Sequence, residues 1–196
     1  MNLPNQLTVS RFVLTAVFLS AVFIRFPGWE TAALVLFSLA GITDYLDGRI
    51  ARSRNLITHF GILMDPLADK ILTCSAFIAF VEMRRMAAWM VVIIVARELA
   101  ITGLRLLAAS RTIVLAAERF GKHKTISQIV SIIVTLVALC RLEWGSFGNS
   151  LLGFQIFGRP WIEGASLLAQ WVAVGLTLYS GAAYLWKNRR LYLDHH

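Results

Sequence analysis

Four aspartates stand out in this chain because they interrupt segments that are otherwise apolar. Asp44 and Asp47 lie near the end of one such segment, and Asp65 and Asp69 lie in the next. An unpaired carboxylate in an apolar environment is costly, roughly 3 kcal/mol inside a membrane helix, and carboxylates close together repel one another. Divalent cations relieve both costs, since hard oxygen ligands suit Mg²⁺, Mn²⁺ or Ca²⁺. Mg²⁺ is usually shared with substrate phosphates, so the four acids predict a metal site for a phosphate-bearing substrate.

The spacing of these acids places each pair on one face of a helix. At about 100° per residue, Asp44 and Asp47 are about 60° apart around a helix axis, and Asp65 and Asp69 about 40° apart. The connection between the two segments is short and basic, which predicts antiparallel neighbours whose acidic faces meet. The alternative, unrelated helix-end acids paired with nearby arginine or lysine, explains one pair better than it explains two.

The helices that must position the acids are predicted to cross a membrane. Of 196 residues, 58% are hydrophobic and only 15% are charged, which is too apolar for an ordinary soluble domain. A helix needs about 20 mostly apolar residues to cross the hydrocarbon. Such stretches occupy residues 7–25, 30–48, 60–82, 87–108, 125–142 and 161–186. The sequence therefore predicts an all-α integral membrane bundle of six transmembrane helices, in a single domain comprising residues 1–196, with a loop between the last two helices.

The net charge of +8 indicates topology better than it indicates a nucleic-acid partner. Most of the 19 basic residues fall in connections on one side of the predicted bundle. The opposite connections hold Arg25, Arg84, Arg85, Arg141 and Arg159. The positive-inside rule then places both termini in the cytoplasm of a multi-pass protein. The basic side can attract anionic membrane lipids and phosphorylated substrates, and no nucleic acid is expected.

Small and polar residues accompany the acids in a way that suits a nucleotide. Gly48, Ala51 and Gly61 lack bulk where a nucleotide needs close backbone approach. Arg52 can neutralise a phosphate, and Thr43 offers a hydroxyl beside Asp44. Taken alone, the small residues favour close helix packing in a membrane over a nucleotide site.

The segment from Asp44 to Asp69 resembles the signature of the CDP-alcohol phosphotransferase family. Every fixed position of that signature is filled at the right spacing, and the positions are Asp44, Asp47, Gly48, Ala51, Arg52, Gly61, Asp65 and Asp69. Eight residues at fixed spacings make this a specific match. The resemblance implies six transmembrane helices, a homodimer, and metal-dependent displacement of CMP from a CDP-linked lipid.

The resemblance also implies a role for each residue of the signature. Asp44, Asp47 and Asp65 would ligate two metal ions, Mg²⁺ or Mn²⁺, on the CDP diphosphate. Asp69 would ligate or lie beside these ions and, as the catalytic base, take the proton of the acceptor hydroxyl. The signature residues that would border the nucleotide are Gly48, Ala51, Arg52 and Gly61, and Thr43 is added to this nucleotide site for its hydroxyl beside Asp44.

A second polar group outside the signature predicts the acceptor. Arg97 and Glu98 interrupt the fourth apolar stretch, and Arg105 follows about 80° from Arg97 around the helix axis. Lys122 and Lys124 open the fifth helix, whose N-terminal dipole favours anions. Arg105, Lys122 and Lys124 are therefore candidates for binding the phosphate of a phosphorylated alcohol. Separately, the lysines could serve topology and Arg97–Glu98 could be a structural ion pair.

These segments, with the opening from Asn2 to Arg11, resemble the bacterial members of the family that use sn-glycerol 3-phosphate as the acceptor. The resemblance implies CDP-diacylglycerol as the donor and a location in the bacterial inner (cell) membrane. A cardiolipin synthase of the same fold, which uses phosphatidylglycerol, is the nearest alternative. Two other classes remain open, an intramembrane prenyltransferase and a small cation transporter. The acids of a cation transporter should be distributed across membrane depth.

Overall fold

A computed structural model describes the backbone of residues 3–53, 59–110, 119–156 and 158–189, and the side chains of residues 9–43, 70–108, 121–156 and 158–189. Helices make up almost all of this backbone, which confirms the all-α prediction. In chain order the elements are α1 (Leu3–Ile24), α2 (Trp29–Ser53), α3 (His59–Glu82), α4 (Ala88–Ser110), α5 (Arg119–Glu143), α6 (Gly145–Leu152), β1 (Gln155–Ile156), β2 (Arg159–Pro160) and α7 (Trp161–Lys187).

The six predicted apolar stretches correspond to α1–α5 and α7. Two of these helices are longer than the apolar stretches that predict them, because each extends into polar sequence. Helix α2 continues to Ser53, and α5 already begins at Arg119. The prediction of a plain loop between the last two long helices is wrong. Gly145 has a φ of +59°, so the chain leaves the path of α5 at this residue. Helix α6 begins there. A small antiparallel hairpin follows, in which Gln155 pairs with Pro160.

Both acid-bearing helices pack against the same partners. Helices α2 and α3 each contact α1 and α5, while α4 contacts α3 and α7, and α5 packs extensively on α7. The shared core includes Phe18 of α1 and Phe37 of α2, whose ring centres are 5.9 Å apart. Phe77 and Phe80 of α3 and Leu136 of α5 complete its centre. Burial of these rings fixes α2 and α3 relative to each other.

Antiparallel packing gives the bundle two chemically different ends. Helices α2, α4 and α7 finish at one end of the bundle, where α3 and α5 begin, and we call it the signature end. The opposite end is called the distal end. At the distal end Glu143 of α5 caps α2, since its Oε2 accepts from the Thr31 backbone N–H at 2.9 Å and its Oε1 from the Thr31 hydroxyl at 2.8 Å. This satisfies one of the N–H groups that a helix start leaves open.

Two apolar helices and a polar seam between them are consistent with a membrane protein. Among the described side chains, the stretches Gly121–Glu143 and Trp161–Lys187 are long and apolar enough to cross a membrane, and Val9–Ile24 and Trp29–Thr43 are shorter apolar helices. Between α5 and α7 polar side chains bond across the seam, for example Gln128 Nε2 to the Thr177 hydroxyl at 3.1 Å. Such interhelical polar bonds stabilise helix pairs in membranes.

Candidate active site

The signature acids occupy helix positions that suit a shared site. Asp44 and Asp47 belong to the last turns of α2, and Asp65 and Asp69 to the first half of α3, so both pairs lie toward the signature end. Their side chains fall outside the described residues, and so do those of Gly48, Ala51, Arg52 and Gly61. The metal and nucleotide assignments therefore stay predictions. The donor set fits Mg²⁺ or Mn²⁺, since it consists of hard carboxylate oxygens. No competing cluster of His, Cys, Asp or Glu occurs among the side chains that are described.

Thr43 is the one predicted nucleotide contact whose side chain is described. Its hydroxyl lies 3.0 Å from the carbonyl oxygens of both Leu39 and Ala40, within its own helix. A hydroxyl has a single proton to donate, so Thr43 can meet a ligand only as an acceptor while this bond persists.

A polar connection joins α3 to α4 directly after Asp69. Lys70 Nζ donates to the Thr102 hydroxyl, and that hydroxyl donates to the Glu98 carbonyl oxygen at 2.7 Å. From the sequence, Lys70 was considered only as a possible ion-pair partner of the signature acids, and Thr102 had no predicted role. A lysine inside an apolar helix, next to a predicted catalytic acid, was nevertheless a visible signal. Through this contact the α3 turn that carries Asp69 is tied to the polar face of α4.

Glu98 lies between two cations in the interior of the bundle. It forms ion pairs with Lys124 of α5 and with Arg97, whose Nη1 is 3.5 Å from Glu98 Oε1. The side chains of Arg97, Glu98 and Lys124 are 14%, 7% and 6% exposed, so the group is largely shielded from solvent. Arg97 Nη2 also donates to the Ser180 hydroxyl of α7 at 3.3 Å. The structural ion pair considered for Arg97 and Glu98 therefore exists, and it includes Lys124.

Arg105 and Lys122 lie in more open surroundings than Lys124. Arg105 is exposed, its Nε donates to the Tyr184 hydroxyl at 3.4 Å, and its guanidinium lies 5.6 Å from the centre of that ring. Tyr184 is one helical turn from Ser180, the partner of Arg97, so Arg97 and Arg105 contact neighbouring positions on α7. Lys122 is exposed in the first turns of α5. Helices α4 and α5 thus present cations at the signature end, beside the Lys70 connection to α3, and α7 supplies hydroxyl partners for the two arginines.

Removing the acid from this buried group should destabilise the protein. Glu98→Gln leaves Lys124 and Arg97 with less compensation in a poorly solvated place, and the free energy of unfolding is expected to fall by about 3 kcal/mol. Denaturant unfolding in detergent measures this. Glu163→Gln is the matched control, because its pair with Arg141 is 35% exposed on the acid side, and an exposed pair contributes about 1 kcal/mol or less. Equal losses in the two variants would contradict the assignment.

Comparison with known proteins decides the family. A family model described as CDP-alcohol phosphatidyltransferase matches residues 1–180. The chain belongs to the CDP-alcohol phosphatidyltransferase family. This confirms the resemblance carried by the residues from Asp44 to Asp69.

Several relatives in this family are similar over most of their length. The chain is 37% identical over 199 residues to the CDP-diacylglycerol–glycerol-3-phosphate 3-phosphatidyltransferase of Bacillus subtilis, with 95% of both chains covered. It is 33% identical over 183 residues to the protein of the same name from Rickettsia felis, with 93% of both covered. It is also 43% identical over 135 residues to a probable phosphatidylglycerophosphate synthase of Mycobacterium tuberculosis, covering 67% of this chain and 64% of the relative.

Proposed function

We propose that this chain transfers the phosphatidyl group of CDP-diacylglycerol to sn-glycerol 3-phosphate, releasing CMP and forming phosphatidylglycerophosphate. The observation that carries the proposal is the similarity to the Bacillus subtilis enzyme across 95% of both chains. The cations at the signature end support it, because a phosphorylated acceptor carries a dianion that an uncharged alcohol lacks.

The reaction requires charge neutralisation and one proton transfer. Asp44, Asp47 and Asp65, with Asp69 beside or among them, would hold two Mg²⁺ or Mn²⁺ ions, which supply charge neutralisation at the diphosphate and at the leaving CMP. Asp69 accepts the proton of the acceptor hydroxyl as its oxygen forms a bond to the phosphatidyl phosphorus. The bond from that phosphorus to the CMP oxygen breaks, and CMP leaves. Thr43, Gly48, Ala51, Arg52 and Gly61 border the nucleotide.

A separate basic group is proposed to bind the acceptor. Arg105 and Lys122, which are exposed, contact the phosphate of glycerol 3-phosphate, and Lys124 adds positive charge from its buried position beside Glu98. This arrangement places one hydroxyl of the acceptor toward Asp69. Glu98 supports this arrangement by holding Lys124 against α4. Lys70 supports it by joining the Asp69 turn to Thr102. The acids then determine the reaction, and the cations determine the acceptor.

The same proposal places the protein in the bacterial inner membrane. Helices α1–α5 and α7 cross the bilayer with both termini in the cytoplasm, since the signature end is the more basic end. Large apolar side chains that face outward, such as Val92 and Leu168 at 64% and 66% exposure, contact lipid tails or a second copy in a homodimer. The diacylglycerol tails of the donor remain in the bilayer while its headgroup is held at the signature end.

An acceptor panel tests the proposed function. Purified protein receives CDP-diacylglycerol, Mg²⁺ or Mn²⁺, and one alcohol at a time, and CMP release is measured. Release is expected with glycerol 3-phosphate and not with inositol or serine. Release with phosphatidylglycerol alone would indicate a cardiolipin synthase instead. No CMP with any alcohol would reject the reaction and favour ion transport by the acids.

The role of Arg105 has its own expected result. Arg105→Gln removes one cation from the acceptor phosphate, a contact that contributes roughly 1.5–3 kcal/mol. The KM for glycerol 3-phosphate should rise about tenfold or more, with a much smaller change in kcat. Arg189→Gln is the matched control, because Arg189 is also exposed and lies 4.8 Å from the centre of the Trp186 ring near the same end. A KM that stays at the wild-type value in Arg105→Gln would remove Arg105 from the pocket.

A further inference from the structure

The distal end, opposite the proposed active site, contains a cavity of about 190 Å³ between the α3–α4 turn, α5 and the start of α7. It has room for several water molecules, each of which occupies about 30 Å³ in the liquid. Three exposed arginines line it: Arg84 and Arg85 from the α3–α4 turn, and Arg159 from β2. Cations from separate parts of the sequence therefore converge on one opening.

The cavity wall carries an excess of positive charge. Within the described residues, no carboxylate forms an ion pair with Arg84, Arg85 or Arg159. Glu163 also lines the cavity, but its Oε1 is 3.5 Å from Nη2 of Arg141, so its charge is already paired. The positive-inside rule does not account for these arginines, because they lie on the side that it leaves poor in basic residues.

The floor of the cavity is polar and already satisfied. Gln170, Ser166 and Thr135 are buried there, and the Thr135 and Ser166 hydroxyls are 2.8 Å apart. Gln170 Nε2 donates to the Arg85 carbonyl oxygen at 3.0 Å, which anchors the α3–α4 turn to α7. These buried polar residues thus hold the α3–α4 turn in place. The guanidinium groups of the three arginines remain as the donors for a ligand.

The backbone at Arg84 is unusual for a charged residue. Its φ is +56°, a conformation in which glycine is favoured at the end of a helix. The turn is closed by the Arg85 N–H, which donates to the Phe80 carbonyl oxygen at 2.8 Å. Arg84 thus occupies a backbone position where glycine would be less strained, and its side chain lines the cavity.

From this cavity we infer a phosphate-binding site at the distal end, separate from the proposed active site. Planar guanidinium groups bind phosphate oxygens in pairs, and three of them suit a phosphodiester or phosphate anion. The phosphate can belong to an anionic lipid headgroup or to a free ion. Trp89, Trp144 and Trp161 lie at or next to helix ends at this same end, and tryptophans favour the headgroup level of a membrane.

Thermal unfolding of the full chain in detergent tests the site, because a ligand that binds the folded state raises the unfolding temperature. The ligands are dihexanoyl phosphatidylglycerol and inorganic phosphate. The test variant combines Arg84→Gly, Arg85→Gln and Arg159→Gln. Arg25→Gly is the matched control, since Arg25 is an exposed distal arginine with a φ of +53° that does not line the cavity.

The apparent affinity for phosphatidylglycerol should be about tenfold or more weaker in the triple variant and unchanged in Arg25→Gly. Any binding at the active site is common to all variants, so only this difference reports on the cavity. A difference with phosphatidylglycerol but not with inorganic phosphate identifies a lipid headgroup, and a difference with both identifies the phosphate itself. Equal affinities of wild type and triple variant for both ligands would overturn the inference. If the triple variant does not fold, Arg159→Gln alone, outside any helix, gives the same comparison.

Discussion

Replacing Asp69 by asparagine is expected to slow CMP release from CDP-diacylglycerol by roughly 10²- to 10⁴-fold, the usual contribution of a positioned general base. Asparagine keeps the size of the side chain but cannot accept the proton of the acceptor hydroxyl. The loss should appear in kcat, because the proton moves in the transition state and not on binding. Steady-state CMP release at saturating glycerol 3-phosphate measures it.

The control for Asp69→Asn lies on the same helix. Glu82 is an exposed acid at the distal end of α3, so Glu82→Gln removes a carboxylate from α3 without approaching the proposed site. Its kcat should equal that of the wild type. Unfolding temperatures of both variants exclude a loss of fold as the cause. Full activity in Asp69→Asn would show that another group takes the proton.

Removal of divalent metal should stop the reaction. Without cations, the carboxylates of α2 and α3 would face a diphosphate of the same sign, and nothing would neutralise the leaving CMP. Metal ions contribute several kcal/mol to such transition states, which corresponds to at least about 100-fold in rate. A chelator should therefore reduce CMP release by that factor, and added Mg²⁺ or Mn²⁺ should restore it.

Metal binding can also be measured without turnover. Mg²⁺ or Mn²⁺ should raise the unfolding temperature of the wild type, since these ions bind the folded state. The rise should be lost in Asp44→Asn/Asp47→Asn, which removes the two acids of α2. Glu30→Gln, at the distal start of the same helix, should keep it. Undiminished CMP release in excess chelator would contradict metal dependence.

The sequence predicts the helices well because hydrophobic length and charge are local properties. The stretches that become α1–α5 and α7 are visible as apolar runs, and the family follows from the fixed spacing between Asp44 and Asp69. Helix ends are less predictable, since polar residues such as Arg119 can extend a helix beyond its apolar part. Helix α6 was missed because its eight residues, rich in Gly and Ser, also suit a loop.

Contacts between distant residues could not be derived from the sequence. The lysines of the fifth helix looked alike as candidates for a phosphate, yet Lys124 is buried against Glu98 while Lys122 is exposed. The difference depends on which face of α5 packs against α4, and periodicity does not specify that pairing. The distal cavity was hidden for the same reason, since Arg84 and Arg159 are brought together only by packing.

The polar partners supplied by α7 affect how the chain is made. Gln128 and Thr135 of α5 and Arg97 of α4 bond to Thr177, Ser166 and Ser180, all of which belong to the last helix. A ribosome delivers α4 and α5 first, so in the proposed membrane arrangement these groups for a time lack their partners in a solvent that offers no hydrogen bonds. An insertion intermediate without α7 should therefore be retained by the insertion machinery, and release into the bilayer should await the final helix.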